Sequence, residues 1–237
     1  MIEAEKSVVN GSVPRRRWQS LLATEKLDSE LLMRARTHRS AGDSHYERLE
    51  FVGDAVLGLL VAEALYLRRP DAPEGTLTRL RAHLVNRHSL ADIGREWSFG
   101  EGLTLGEGER KSGGSRRSSI LADVVEATIG AVYLSSGLDA TRAFVTALYT
   151  DRLERLPDDQ DLKDPKTRLQ EVLQRLGRPL PSYRMVARTG PDHDASFEVE
   201  AEILEPRATA RAVGRSRRAA EQAAAETLLE QLSKSRR

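Results

Sequence analysis

From Trp18 to about Tyr149, apolar residues recur at three- and four-residue spacing, broken by short turns at Ala41-Gly42-Asp43, Pro70 to Gly75 and Gly113-Gly114. That period belongs to helices with one face on a core, and no alternating strand interrupts it, so the segment predicts an all-helical domain. Residues 151 to 164 become polar and charged around Pro157 and read as a linker. Beyond them the pattern changes. Lys166 to Leu176 keeps helical spacing and is closed by Gly177 and Pro179. Ser182 to Arg188 reads as a strand. Phe197, Val199, Ala201 and Ile203 alternate with Glu198, Glu200 and Glu202, the period of a half-buried strand. Arg207 to Val213 predicts a third strand after a turn near Glu205-Pro206. Ser216 to Leu232 predicts a closing helix, with Ala219, Ala220, Ala223 and Ala224 as a small-residue face able to pack close to a sheet. The fold class is therefore multidomain: an all-α domain at 18–150, a linker at 151–163 and a small α+β domain of order α-β-β-β-α at 164–233. Tails at 1–17 and 234–237 flank them.

Two of the predicted helices carry charge where their pattern calls for core. Glu47, Glu50 and Asp54 stand at i, i+3 and i+7 and project from one face, among Leu49, Phe51, Val52, Ala55 and Val56. Residues 119 to 134 are apolar nearly all round, as a buried helix would be, yet Asp123 and Glu126 interrupt them at i and i+3. Carboxylates stacked this way repel, and burial worsens it unless something positive is present. Arginines such as Arg48 or Arg79 can supply that charge as structural ion pairs; so can a hard divalent cation shared between both helices. Two such helices favour the shared cation. Gly53 and Gly58 each cost a helix about 1 kcal/mol relative to Ala, which points to close helix or subunit packing at those positions.

Composition narrows the classes. A chain of 237 residues with 39 % hydrophobic content can build one large or two small cores, and a mean hydropathy of −0.48 suits a soluble protein. Neither a signal-peptide pattern nor a membrane-length apolar run is evident, and Arg15-Arg16-Arg17 reads as a solvated tail. Cysteine is absent, which removes disulfides, thiolate zinc sites and cysteine nucleophiles, and is compatible with the cytoplasm. The net charge of +1 divides unevenly: from Gln160 onward 15 Lys/Arg face 12 Asp/Glu, a net of +3, leaving −2 for the rest. A basic C-terminal part suits a polyanion. The last predicted helix agrees: Ser216 is a good N-cap, but Arg217 and Arg218 follow at the positive end of the helix dipole. Cations there are unfavourable for stability and suited to phosphate.

These segments resemble the bacterial ribonuclease III family, from about Leu21 to Leu232. Glu47 to Asp54 looks like the family's signature, continued by Ala55-Val56-Leu57, with Thr37-His38-Arg39-Ser40 upstream. Glu74-Gly75, Lys111-Ser112-Gly113-Gly114 and Ser119-Ile120-Leu121-Ala122-Asp123 to Glu126 follow in the family's order. The C-terminal part resembles a double-stranded RNA-binding domain at Asp164 to Glu171, at Gly190-Pro191-Asp192-His193 with Phe197, and at Ser216 to Glu221. Departures are few. Tyr46 stands where Asn is common, Val52 where Leu is frequent, Ser115 in place of a bulkier residue and Ala219 in place of a third basic residue.

The resemblance implies an all-α endonuclease domain followed by an RNA-binding domain. It also implies hydrolysis of double-stranded RNA to 5′-phosphates and short 3′ overhangs, in processing of ribosomal RNA precursors and of messenger, transfer and other structured RNAs. It makes Glu50, Asp54, Asp123 and Glu126 the metal ligands, with Asp54 and Glu126 indispensable for chemistry. An all-carboxylate set selects Mg²⁺, with Mn²⁺ as a substitute. Glu47 and Glu74 become supporting residues near the cleft. For RNA, the resemblance implies Lys166, Thr167, Gln170 and Glu171 at one minor groove, His193 at another, and Ser216, Arg217 and Arg218 on the phosphates between. The remaining histidines, His38, His45, His83 and His88, show no metal spacing and read as structural or surface residues, and Trp97 and Phe99 read as core. A symmetric homodimer is expected, since two centres must face opposite strands. A non-cleaving double-stranded RNA-binding regulator is the alternative, although such a chain should have lost one of the four carboxylates. A di-iron protein would need Glu-x-x-His, and Ile129 occupies the histidine's place.

Overall fold

A computed structural model describes residues 16–22 and 26–234, except the side chain of His193. The tails read at 1–17 and 234–237 therefore lie mostly outside the described residues. Arg16 and Arg17 are exposed, and each has a surface partner: Arg16 pairs with Asp151 at 3.0 Å and lies over the Trp97 ring, and Arg17 pairs with Glu101. The chain divides into two compact units between Leu156 and Pro157.

The first unit is helical: α1 Ser29–Ala35, α2 Glu47–Arg68, α3 Glu74–Val85, α4 Arg87–Glu96, α5 Glu107–Lys111 and α6 Ser118–Glu154. Its centre is the pair α2 and α6, with α4 also against α6. Leu57, Leu60, Val61 and Leu65 of α2 and Val125, Ile129 and Val132 of α6 are buried, and the two helices pack on each other. Two glycines let the helices approach to backbone contact. A Cβ on Gly53 would stand 1.8 Å from the Glu126 carbonyl oxygen, and one on Gly130 would stand 2.2 Å from that of Leu49. Close packing thus explains Gly53. Gly58 differs, with nothing within 4 Å of its hypothetical Cβ. Trp97 and Phe99 are core, and Trp18 stacks on Phe99 with centroids 5.3 Å apart.

Helix α6 carries a break absent from the expected pattern: Gly137 takes φ 78°, so two helical segments meet there. It also runs through Glu154 with Leu153 buried, so four residues of the stretch read as linker belong to this helix. By length and composition α6 could cross a membrane; here its apolar stretch is largely buried in the domain.

The second unit comprises α7 Asp159–Leu162, α8 Pro165–Arg175, β1 Ser182–Thr189, β2 Ser196–Leu204, β3 Arg207–Gly214 and α9 Arg217–Lys234. Its antiparallel sheet has the order β1-β2-β3, with a register shift between Met185 and Ala187. Val199, Ala201 and Ile203 are fully buried, as the alternation requires, while Glu200 points away and is bracketed by Arg184 at 2.6 Å and Arg211 at 2.7 Å. Asp164 caps α8 by accepting from Thr167 N–H, and Pro165 occupies the first helical turn. The small face of α9 differs from the one expected: Ala220, Ala224 and Ala225 are buried against the sheet and α8, whereas Ala219 and Ala223 face solvent.

Candidate functional site

The contact between α2 and α6 brings together carboxylates far apart in sequence. One ligand atom each from Glu50, Asp123 and Glu126 lies within 4.8 Å of the others. They line an open cleft of about 890 Å³ with Asp54, which is exposed, and with Glu47. Glu47 is also near Arg39 at 3.5 Å and His45 at 3.8 Å. Glu74, at the start of α3, is not among the residues lining that cleft; its carboxylate accepts from Thr78 Oγ1 at 2.7 Å. The start of α2 suits acids, because Glu47 and Glu50 sit in its first turn at the positive end of the dipole.

Protons show the strain in this arrangement. Burial, then the charges of Asp123, Glu47 and Asp54, pushes the Glu50 carboxyl up to about 7. Burial, then Asp54, Glu50 and Asp123, pushes Glu126 up to about 8. Asp123 is raised as well, chiefly by burial, while a hydrogen bond from Tyr46 and the charge of Arg87 pull it back. Near neutral pH the protein alone does not hold all these groups ionised. All-oxygen donors, converging and short of positive charge, fit a divalent cation.

Several cleft residues carry no sequence signal of their role. Arg87, at the start of α4, lines the cleft and opposes the raised carboxyls of both glutamates. It makes no hydrogen bond or ion pair among the described residues. Arg117 also lines it, held by Glu109 at 2.8 Å. His38, read as structural or surface, lines the cleft, and its Nδ1 accepts from Ser40 N–H as a cap.

In the second unit, α8 and α9 present the other expected residues. Thr167 and Gln170 are exposed on α8. Glu171 accepts from Lys163 at 2.7 Å. Lys166 pairs with Glu221 at 2.5 Å and lies over the Tyr183 ring at 4.4 Å. Ser216 Oγ accepts from Ala219 N–H, as an N-cap should. Arg217 pairs with Glu221 at 2.9 Å, whereas Arg218 is exposed and unpaired among the described residues. Glu221, only 8 % exposed, therefore ties two expected RNA-contact residues from different helices together. The backbone of residues 192–194 forms one turn of 3-10 helix between β1 and β2; the His193 side chain lies outside what is described.

Comparison with known proteins places these features. Residues 28–153 match the Ribonuclease-III-like family and residues 165–232 the Double-stranded RNA binding motif. Ribonuclease 3 of Alkalilimnicola ehrlichii is 53 % identical over 86 % of this chain and 89 % of its own length. Ribonuclease 3 of Vibrio cholerae is 49 % identical over 93 % and 98 %. Among solved structures, a nuclease domain of ribonuclease III from Campylobacter jejuni, described for structural flexibility in a region involved in dimer formation, superposes with TM-score 0.54 and 40 % identity. It spans 56 % of this chain and 93 % of that one.

A carboxylate cleft between packed helices, joined in one chain to an α-β-β-β-α duplex-binding fold, defines a double-stranded RNA endoribonuclease. The chain belongs to the ribonuclease III family.

Proposed function

We propose that this endoribonuclease uses Mg²⁺, with Mn²⁺ as a substitute, to cut both strands of duplex RNA, leaving 5′-phosphates and short 3′ overhangs. The convergence of Glu50, Asp123 and Glu126 within 4.8 Å carries the reading. These three hold the cation, joined by Asp54 from the cleft mouth, and Asp54 and Glu126 are the residues without which chemistry stops. When bound, the cation activates water, offsets charge at phosphorus and stabilises the leaving oxygen. The protein's part is to keep the carboxylates in place on two helices in backbone contact, and to offer Arg87 and Arg117 to the phosphates that enter the cleft.

The RNA is gripped by the second unit. Lys166, Thr167, Gln170 and Glu171 meet one minor groove, His193 the next, and Ser216, Arg217 and Arg218 the phosphates between, so shape is read more than sequence. The substrates are ribosomal RNA precursors and other structured RNAs, including messenger and transfer RNA precursors, and the location is the cytoplasm. The working form is a homodimer. Its support is a row of exposed apolar residues along α2, with Phe51 79 %, Leu59 57 % and Tyr66 68 % accessible, a pattern that suits an isologous contact. Glu47 and Glu74 support the cleft; Glu74 would do so from the second subunit.

Incubation of the full chain with long duplex RNA and Mg²⁺ tests the reading. Discrete short duplexes are expected, and Glu126→Gln should slow cleavage by at least about 100-fold while leaving binding intact. Intact RNA with wild-type chain, binding retained, would instead establish the non-cleaving regulator.

A further inference from the structure

Tyr46 is the one departure from the family's signature that touches the carboxylates. It is 3 % exposed, and its hydroxyl donates to Asp123 Oδ2 at 3.3 Å, across 77 positions of sequence. A buried phenol needs a partner, and Asp123 is the hydroxyl's hydrogen-bond partner among the described residues. The ring is fixed from other sides as well. His38 packs edge-on at 5.7 Å, and the Tyr46 N–H donates to the Thr37 carbonyl at 3.0 Å. Its own carbonyl accepts from Leu49 and Glu50 N–H at 2.8 and 2.9 Å, starting the helix that carries Glu50. One residue thus anchors the first turn of α2 and reaches the acid of α6 that faces it.

We propose that Tyr46 is a positioning residue for the metal centre, its hydroxyl holding the Asp123 carboxylate in register with Glu50 and Glu126. This rests on the reading that those carboxylates bind the cation. A carboxylate tethered through one oxygen has lost its rotamer freedom on folding, so that entropy is not lost again when a cation binds. Partners of this kind, one bond removed from the metal, commonly change its affinity by about 10-fold or more.

Mn²⁺ binding to the full chain, read from the electron paramagnetic resonance signal of the free ion, tests the proposal. Tyr46→Phe keeps the ring and removes only the hydroxyl. Its Mn²⁺ dissociation constant is expected to rise roughly 10-fold, with kcat recovered at saturating Mn²⁺ and the KM for RNA unchanged. In an Asp123→Ala background the same change should have no further effect on Mn²⁺ binding, since the group it positions is gone. Equal Mn²⁺ affinity for wild type and Tyr46→Phe, or a lower metal-free melting temperature with unchanged Mn²⁺ affinity, overturns the proposal and leaves the metal centre standing. Failure of the wild-type chain to bind Mn²⁺ overturns the metal centre itself, and this inference with it.

Discussion

In the proposed metal centre, proton and cation compete for the same Glu126 oxygens. The folded Glu126 carboxyl titrates near 8 and that of Glu50 near 7, both above the ordinary 4.5. As pH rises from 4.5 toward 8, the unfolded chain gives up these protons before the folded one does, so stability of the metal-free protein falls across that window. Bound divalent cation reverses the sign, because ionised carboxylates then have a partner. With the Mg²⁺ of the proposed function at about 100 times its dissociation constant, the expected gain is about 2.7 kcal/mol. The rise in melting temperature on adding Mg²⁺ is therefore expected to be larger at pH 8.5 than at pH 6, and scanning fluorimetry at fixed Mg²⁺ checks it. An equal shift at both values would count against proton and cation sharing these oxygens. The carboxylates themselves were legible in the sequence, since acids on an apolar helix face are costly enough to demand a reason. Arg87, His38 and the Tyr46–Asp123 pair were not. Their roles depend on contacts across loops and between helices, and nothing periodic announces them.

At the level of elements, two glycines that look alike in α2 separate. Gly53 sits against the Glu126 carbonyl and Gly58 against nothing. A Cβ at 53 must force α2 away from α6, so Gly53→Ala is expected to cost about 3 kcal/mol or more. Gly58→Ala leaves the fold intact and gains up to about 1 kcal/mol of helix propensity. Denaturant unfolding of both variants measures the difference; equal values would contradict the packing. In the second unit, Lys166 of α8 and Arg217 of α9 both lean on Glu221, which lowers that carboxyl below its usual range, the Lys166 hydrogen bond being the largest cause. The sign is opposite to that of the cleft. This contribution is present above the ordinary carboxylate pKa and lost as pH falls through the depressed one. Glu221→Gln should cost the C-terminal unit about 1–2 kcal/mol at pH 7 and progressively less as pH falls through the depressed pKa, as followed by circular dichroism. The β2 alternation was plain because a half-buried strand leaves a period of two. The Gly137 break escaped because α6 is apolar on both sides of it, so the periodicity carries straight through.

For the whole molecule, the order of the two units was readable from the change in pattern near Pro157, and the chain divides between Leu156 and Pro157. The precise end of α6 was not, because Asp151 to Glu154 are polar by composition yet continue a helix that buries Leu153. Binding of the full chain to duplex RNA should weaken steeply with salt, since neutralised phosphates release counterions. Arg218→Ala should reduce the slope of log affinity against log salt by about 1, measured by titration in Ca²⁺ or without metal. An unchanged slope would remove Arg218 from the phosphate contacts. The contact of Gly53 with Glu126, and of Gly130 with Leu49, has a further consequence for descent. The atoms that decide whether α2 and α6 can pack are the backbone of the residues that hold, or adjoin, the acids. Loosening that contact costs stability, so selection for the fold alone also favours the spacing of the acids. Cleavage can then be lost by changing the acidic side chains while the helix pair stays as it is.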